Sequence, residues 1–338
     1  MEWLLGKDLD ALTQTALALG LPRYSGKQVA DWLYKKQVRR VEEMTNLSKA
    51  ARELLGASYQ VGGFAPTQVQ ESKDGTRKYL FPTKEGFLIE SVVIPDGDRT
   101  TLCVSVQAGC RMGCRFCMTA RQGLQAQLTA GEIIGQFQHI KETSRLTNAV
   151  FMGMGEPMDN LDEVLKSLHI LSADWGWGWS PRRITVSTIG ILPQLKRFLD
   201  ESGSHLAISL HHPVAYERQN MIPMQKASPL ADVLDLIRQY DFSGQRRVSF
   251  EYIMFKGVND APEHAVRLAR LLKGLECRVN LIRFHTIPDC SLMPSADGVI
   301  ALFQKKLADS GVLTTVRSSR GEDILAACGL LSTQKRDG

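Results

Sequence analysis

No uncharged apolar run in this chain approaches the length of a membrane span, and the first twenty residues, MEWLLGKDLDALTQTALALG, carry acids among their apolar positions and no basic leader. A bilayer-spanning or exported protein is therefore not expected, and a cytoplasmic location is. Short-period repeats, low-complexity tracts and long linkers are missing as well. Charge of one sign is barely in excess: 41 Lys and Arg against 36 Asp and Glu give +5, which permits a polyanionic partner without demanding one. Cysteine is scarce, seven in 338 residues, and the count is odd. In a reducing cytosol such thiols stay reduced by default, so clustered ones suggest metal or catalysis before disulfides.

What is present is ordinary globular material, 43% hydrophobic and 23% charged, enough for one large core or two modest ones. The first sixty residues read as short helices: Leu17, Leu21 and Tyr24 lead into Val29, Trp32 and Leu33 at helical spacing. Arg23, Lys27, Lys35, Lys36, Arg39 and Arg40 are interleaved, giving either a nucleic-acid docking face or a merely solvated one. From Gln68 to Ile94 the period changes to two, with Asp74-Gly75 and Lys84-Glu85-Gly86 as turns. After about residue 100 strand and helix alternate. Strands are expected at Leu102–Val106, Ala149–Met152, Ile184–Thr188, Leu206–Leu210, Val248–Phe255 and Val279–Phe284. The helix after the first strand opens with a capping box, Thr129 to Glu132. Parallel strands joined by crossover helices curl into a whole or partial barrel, which keeps its chemistry in the loops at the carboxyl ends of its strands.

The chemistry-bearing residues fall at those ends. Cys110, Cys114 and Cys117 follow the first strand, Gly155-Glu156 the second, Ser187 ends the third, Ser209-Leu210-His211 the fourth and His285 the sixth. Gly109 and Gly113 allow the tight backbone path that turns three sulfurs inward. Three thiols in one loop are poorly explained as buried hydrophobes. Zinc would need a fourth ligand, and the nearby His139 falls along the predicted helix rather than in the loop; an iron-sulfur cube held by three thiolates leaves one iron open to a small molecule.

The trio's spacing, with Phe116 before the last cysteine, resembles the signature of the radical S-adenosylmethionine (SAM) superfamily, in which SAM chelates the open iron. Thr101-Leu102-Cys103, Gln107-Ala108-Gly109-Cys110, Met152 to Pro157, Ser209-Leu210-His211 and Arg320-Gly321-Glu322-Asp323 through Ala327-Cys328-Gly329 extend the likeness over nearly the whole chain. Together they resemble the RlmN/Cfr family of RNA adenosine methyltransferases, and Met44 to Lys49 resembles part of that family's accessory RNA-binding domain.

The resemblance implies an α/β chain built on a partial parallel (β/α)6 radical SAM barrel: a helical accessory RNA-binding domain over 1–60, a short β extension over 61–99, the barrel over 100–318 and a C-terminal segment over 319–338. It implies a [4Fe-4S] cluster on Cys110, Cys114 and Cys117, with SAM contacted by Gly155, Glu156, Ser187, Ser209, Leu210, His211 and His285. Cys328 would carry a methyl group, Cys103 would form a disulfide with it to free the product, and Glu90 would accept a proton. Without the resemblance, Cys103 and Cys328 would read as core and Glu90 as a solvent-facing strand residue. The implied substrate is an adenosine carbon, C2 or C8, in 23S ribosomal RNA, with transfer RNA left open, and the implied reductant is a flavodoxin or ferredoxin. One departure stands out: the family's Pro-aromatic-Asn-Pro is Arg283-Phe284-His285-Thr286 here. A radical SAM enzyme for a non-RNA substrate, or a non-catalytic metal-stabilised RNA-binding protein, are the alternatives.

Overall fold

A computed structural model describes residues 1–244, 246–327 and 329–331; Cys328 lies outside the described residues. The amino-terminal module starts with strand β1 (Glu2–Trp3), followed by helix α1 (Leu9–Ala18), α2 (Ser25–Ala30), which runs on into one π turn, α3 (Lys49–Ser58) and β2 (Tyr59–Gln60), which pairs in parallel with β1. Asp8 caps α1 by accepting from Ala11 N–H, and Ser48 caps α3 by accepting from Ala51 N–H. Val29 and Leu33 are buried as the spacing implies, but Leu17 and Tyr24 face solvent.

The two turns anticipated between residues 68 and 94 separate β3 (Gln68–Glu71), β4 (Arg77–Pro82) and β5 (Leu88–Asp96), an antiparallel meander. It is continuous with the barrel sheet, because β5 pairs antiparallel with β6 (Arg99–Cys103). The chain then leaves this sheet to form a hairpin of β7 (Gln107–Cys110), α4 (Met118–Arg121) and β8 (Gly123–Gln127). The cysteine loop is thus the tip of a separate two-stranded ribbon rather than a direct continuation of the first barrel strand. Helix α5 (Ala130–Gln138) begins at the expected capping box, both of whose hydrogen bonds are made.

Alternation then proceeds through β9 (Asn148–Phe151), α6 (Leu161–Ser172), β10 (Ile184–Thr188), α7 (Leu192–Glu201), β11 (His205–Ser209), α8 (Ala215–Met221), α9 (Leu230–Ile237), β12 (Val248–Met254), α10 (Pro262–Leu271), β13 (Cys277–Arg283), α11 (Asp297–Asp309) and β14 (Leu313–Val316). Proline in the first turn opens α7 and α10, where its missing N–H costs nothing. Strand order β14-β13-β12-β11-β10-β9-β6 is parallel throughout, so β14 adds a seventh strand to the six expected from sequence. The inner strands are buried on both faces, as a sheet covered by helices requires. Among the described residues no helix is long and apolar enough to cross a membrane.

The helical module sits against α5. Gln138 donates to Leu33 O at 2.7 Å and Arg39 bonds Gln138 O in return. A Cβ on Gly6 would fall 2.2 Å from Gly131 N, so this crossing of backbones demands glycine.

Candidate active site

At the carboxyl ends of β6, β9, β10 and β11 lies a cavity whose wall includes Cys103, Cys110, Cys114 and Cys117. The hairpin that delivers the trio is closed tightly: Gly109 has φ +71°, and a Cβ there would sit 1.8 Å from Gly123 O. Cys110 is buried, and desolvation pushes its thiol up to about 12; burial likewise raises Cys114, with Cys117 and Cys110 as negative neighbours. Among the described residues no three His, Cys, Asp or Glu side chains close on a single ion. His139 is elsewhere, at the end of α5, with Nδ1 3.0 Å from Gly135 O. Three thiols lining one cavity without a fourth ligand fit a cube with one open iron.

The residues expected around SAM divide in two. Gly155, Glu156, Ser187, Ser209 and His211 line the cavity with the trio. Glu156 N–H donates to Gln107 Oε1 at 2.8 Å, and its buried carboxylate accepts from Met158 N–H at 3.0 Å and Ile189 N–H at 3.1 Å. Burial nonetheless outweighs those donors and raises its carboxyl to about 7. His211 takes the left-handed conformation, φ +55°, and stacks edge-on to Phe116 with centroids 4.8 Å apart. Its Nδ1 accepts from Ile253 N–H at 3.1 Å, which puts the ring proton on Nε2; burial holds the ring neutral, its value lowered to about 3.

Leu210 and His285 are placed differently. Leu210 packs in the core and offers its carbonyl to Arg218. His285 is half-buried with Nε2 3.0 Å from Ser319 Oγ, so it meets the C-terminal segment rather than the cavity wall. Glu90 is no solvent-facing strand residue. It is buried, its carboxylate 2.9 Å from Lys78 Nζ. Strand register sets Lys78 opposite Val92 and Val92 opposite Cys103, so Lys78, Glu90 and Cys103 share the sheet face that reaches the cavity at Cys103.

The C-terminal segment is tied down at two places. Asp74 accepts from Gly321 N–H at 2.9 Å, while Asp323 accepts from Ser72 Oγ at 2.5 Å and from Lys73 N–H at 3.2 Å. Further on, Met118 N–H donates to Gly329 O at 2.9 Å and Thr119 Oγ1 to Leu331 O at 2.8 Å. These bonds bring Ala327 and Gly329, the neighbours of position 328, into the wall of the cysteine cavity. Two basic residues that precede that position have carboxylate partners: Arg317 meets Glu251 at 3.3 Å and Arg320 meets Asp96 at 2.9 Å.

Sequence reasoning passed over Glu251 and Arg218. Glu251 is buried at the cavity wall and held by Asn280 Nδ2 at 2.8 Å and Ser249 Oγ at 3.0 Å. Arg218 is fully buried behind the cavity, its guanidinium donating to the carbonyls of Ile189, Ser209 and Leu210.

Comparison with known proteins agrees with this geometry. Residues 104–269 match the model of the Radical SAM superfamily, and residues 3–61 match that of the ribosomal RNA large subunit methyltransferase N-terminal domain. The probable dual-specificity RNA methyltransferase RlmN of Parabacteroides distasonis is 56% identical over 98% of this chain and 97% of its own length. The dual-specificity RNA methyltransferase RlmN of Syntrophus aciditrophicus is 41% identical over 96% of this chain and 94% of its own. A radical SAM methyltransferase from Sphaerobacter thermophilus superposes with a TM-score of 0.93 at 38% identity, covering 99% of this chain and 100% of that one. The chain belongs to the RlmN family of radical SAM methyltransferases.

Proposed function

We propose that this enzyme methylates an sp2 carbon, C2 or C8, of an adenosine in RNA, with ribosomal RNA as substrate and transfer RNA as a second one, by way of a methyl group carried first on Cys328. An adenine carbon of this kind is electrophilic and cannot attack the sulfonium methyl of SAM by displacement, whereas a cysteine thiolate can. The [4Fe-4S] cluster, when bound on Cys110, Cys114 and Cys117 with SAM at its open iron, supplies the one-electron chemistry that makes the carried methyl reactive.

The chain's own residues do the rest. Gly155, Glu156, Ser187, Ser209 and His211 form the SAM wall; with φ +102° and an imaginary Cβ 2.6 Å from Gln107 Cβ, Gly155 lets the backbone turn close under it. His211, neutral with its proton on Nε2, offers a donor that does not change across physiological pH. Glu90 accepts the proton lost from the adenosine carbon. Cys103 attacks the sulfur of Cys328, so that an S–S bond forms as the S–C bond to the methylated base breaks, and later reduction of the disulfide restores both thiols. A flavodoxin or ferredoxin serves as electron donor, and the cytoplasm, where the RNA resides, as the location.

One observation carries this reading above a radical SAM enzyme for a small molecule: the residues flanking position 328 and the second cysteine, Cys103, line the same cavity as the trio. Its test is anaerobic purification of Cys103→Ala. Expected is RNA covalently attached at Cys328, whose digestion identifies the nucleotide; a cluster-loaded variant that carries no RNA contradicts the two-cysteine route.

A further inference from the structure

Among the described residues the largest fully buried side chain is a cation. Arg218 on α8 has no exposed surface, and its guanidinium donates to Leu210 O at 3.0 Å, Ile189 O at 3.0 Å, Ser209 O at 2.8 Å and Gln225 Oε1. Every one of these acceptors is neutral, and among the described residues no carboxylate pairs with it. A buried charge without a counter-charge is costly, so a fold that keeps one needs a negative group to offset it. The carbonyls alone do not provide a full charge.

The position of α8 shows where that negative group belongs. Its last turn touches the cysteine loop, Arg115 N–H donating to Met221 O at 3.1 Å, and Pro223 beyond it stands next to Gly113. Ile189 and Ser209, whose carbonyls grip the guanidinium, also line the cavity, together with Cys114.

We propose that Arg218 is a positioning and charge-balancing residue for the iron-sulfur cluster: its buried guanidinium is the fixed positive charge against which the thiolate-held cluster is loaded and reduced. The proposal rests on the reading of Cys110, Cys114 and Cys117 as cluster ligands. An oxidised cube on three thiolates carries a net negative charge, and the electron it accepts from a reductant adds another. A cation held in a poorly polarisable interior favours both states, the reduced one more. The same guanidinium fixes the carbonyls of Ile189, Ser209 and Leu210, so charge and strand ends are set by one side chain.

The test uses the full chain, loaded anaerobically and poised at one fixed potential with redox dyes and dithionite, with the reduced fraction read by electron paramagnetic resonance and iron counted in each sample. Gln225→Glu puts a carboxylate where Arg218 Nη1 already donates, neutralising the cation while leaving its carbonyl bonds in place. The reduced-to-oxidised ratio should fall about tenfold or more, equivalent to about 59 mV for one electron. Arg218→Met should do the same, and Arg218→Lys, which keeps the charge but not the fork, should stay near the wild-type ratio. Loss of iron from Gln225→Glu with the fold retained by circular dichroism also supports the proposal, because loading depends on the same charge. A Gln225→Glu protein with full iron and an unchanged ratio overturns it even if Arg218→Met does not fold. Wild-type protein that takes up no iron overturns the reading of the cysteine trio, and this proposal with it.

Discussion

Lys78 and Glu90 form an ion pair at 2.9 Å in which both partners are buried. A pair of this kind is expensive to break from one side, because the survivor is left as an uncompensated charge. Lys78→Met should therefore lower stability by about 3 kcal/mol at neutral pH in urea unfolding. A variant that unfolds at the wild-type urea concentration would contradict a stabilising role for the pair.

Glu156 gives a pH signature of its own. Burial, opposed by the Thr188 hydroxyl and the N–H groups of Met158 and Ile189, raises its carboxyl from 4.5 to about 7. The folded chain thus binds this proton more tightly than the unfolded chain. Its contribution is fully present below pH 4.5 and is lost as pH rises through 7, by an order of 3 kcal/mol. Subtracting the urea-unfolding profile of cluster-free Glu156→Gln from that of wild type should expose this fall, and parallel profiles would contradict it.

Asp74 runs the other way. Burial opposes its charge, but the Gly321 and Thr76 N–H groups and the Thr76 and Ser72 hydroxyls lower it to about 2. Its hold on the C-terminal segment should be complete above pH 3.8 and fade as pH falls toward 2. Because Asp74 is exposed, Asp74→Ala should cost no more than about 1 kcal/mol globally. Limited proteolysis should nevertheless cut the segment after residue 318 faster in the variant. An unchanged cleavage rate would mean that Asp323 alone holds the clasp.

These residues also show what a sequence can and cannot display. The capping box at Thr129 and Glu132 and the strand Ile184–Thr188 were visible because their signals are local, a four-residue motif and a run of β-branched residues. The cysteine trio was visible by spacing alone. The ribbon β7 and β8 was not: Gln107-Ala108-Gly109-Cys110 has no alternation, and its partner lies beyond the loop it encloses. Strand β14 is short, half-exposed and at a sheet edge, so its β-branched Thr314, Thr315 and Val316 have no buried alternation to support them. Arg218 sits in Ala-Tyr-Glu-Arg-Gln-Asn, which reads as a solvated helix; its acceptors come from two distant strand ends that only the fold assembles. Glu251, between Phe250 and Tyr252, is hidden for a related reason, since a strand buried on both faces gives no alternation to mark a polar position as a site.

The central claim is that Cys110, Cys114 and Cys117 hold a cube with one iron left for SAM. Iron and sulfide analysis joined to electron paramagnetic resonance of the reduced, oxygen-free protein tests it most directly. About four irons per chain should be found, with a signal that changes shape when SAM is added. A signal indifferent to SAM, or zinc in place of iron, would contradict the account.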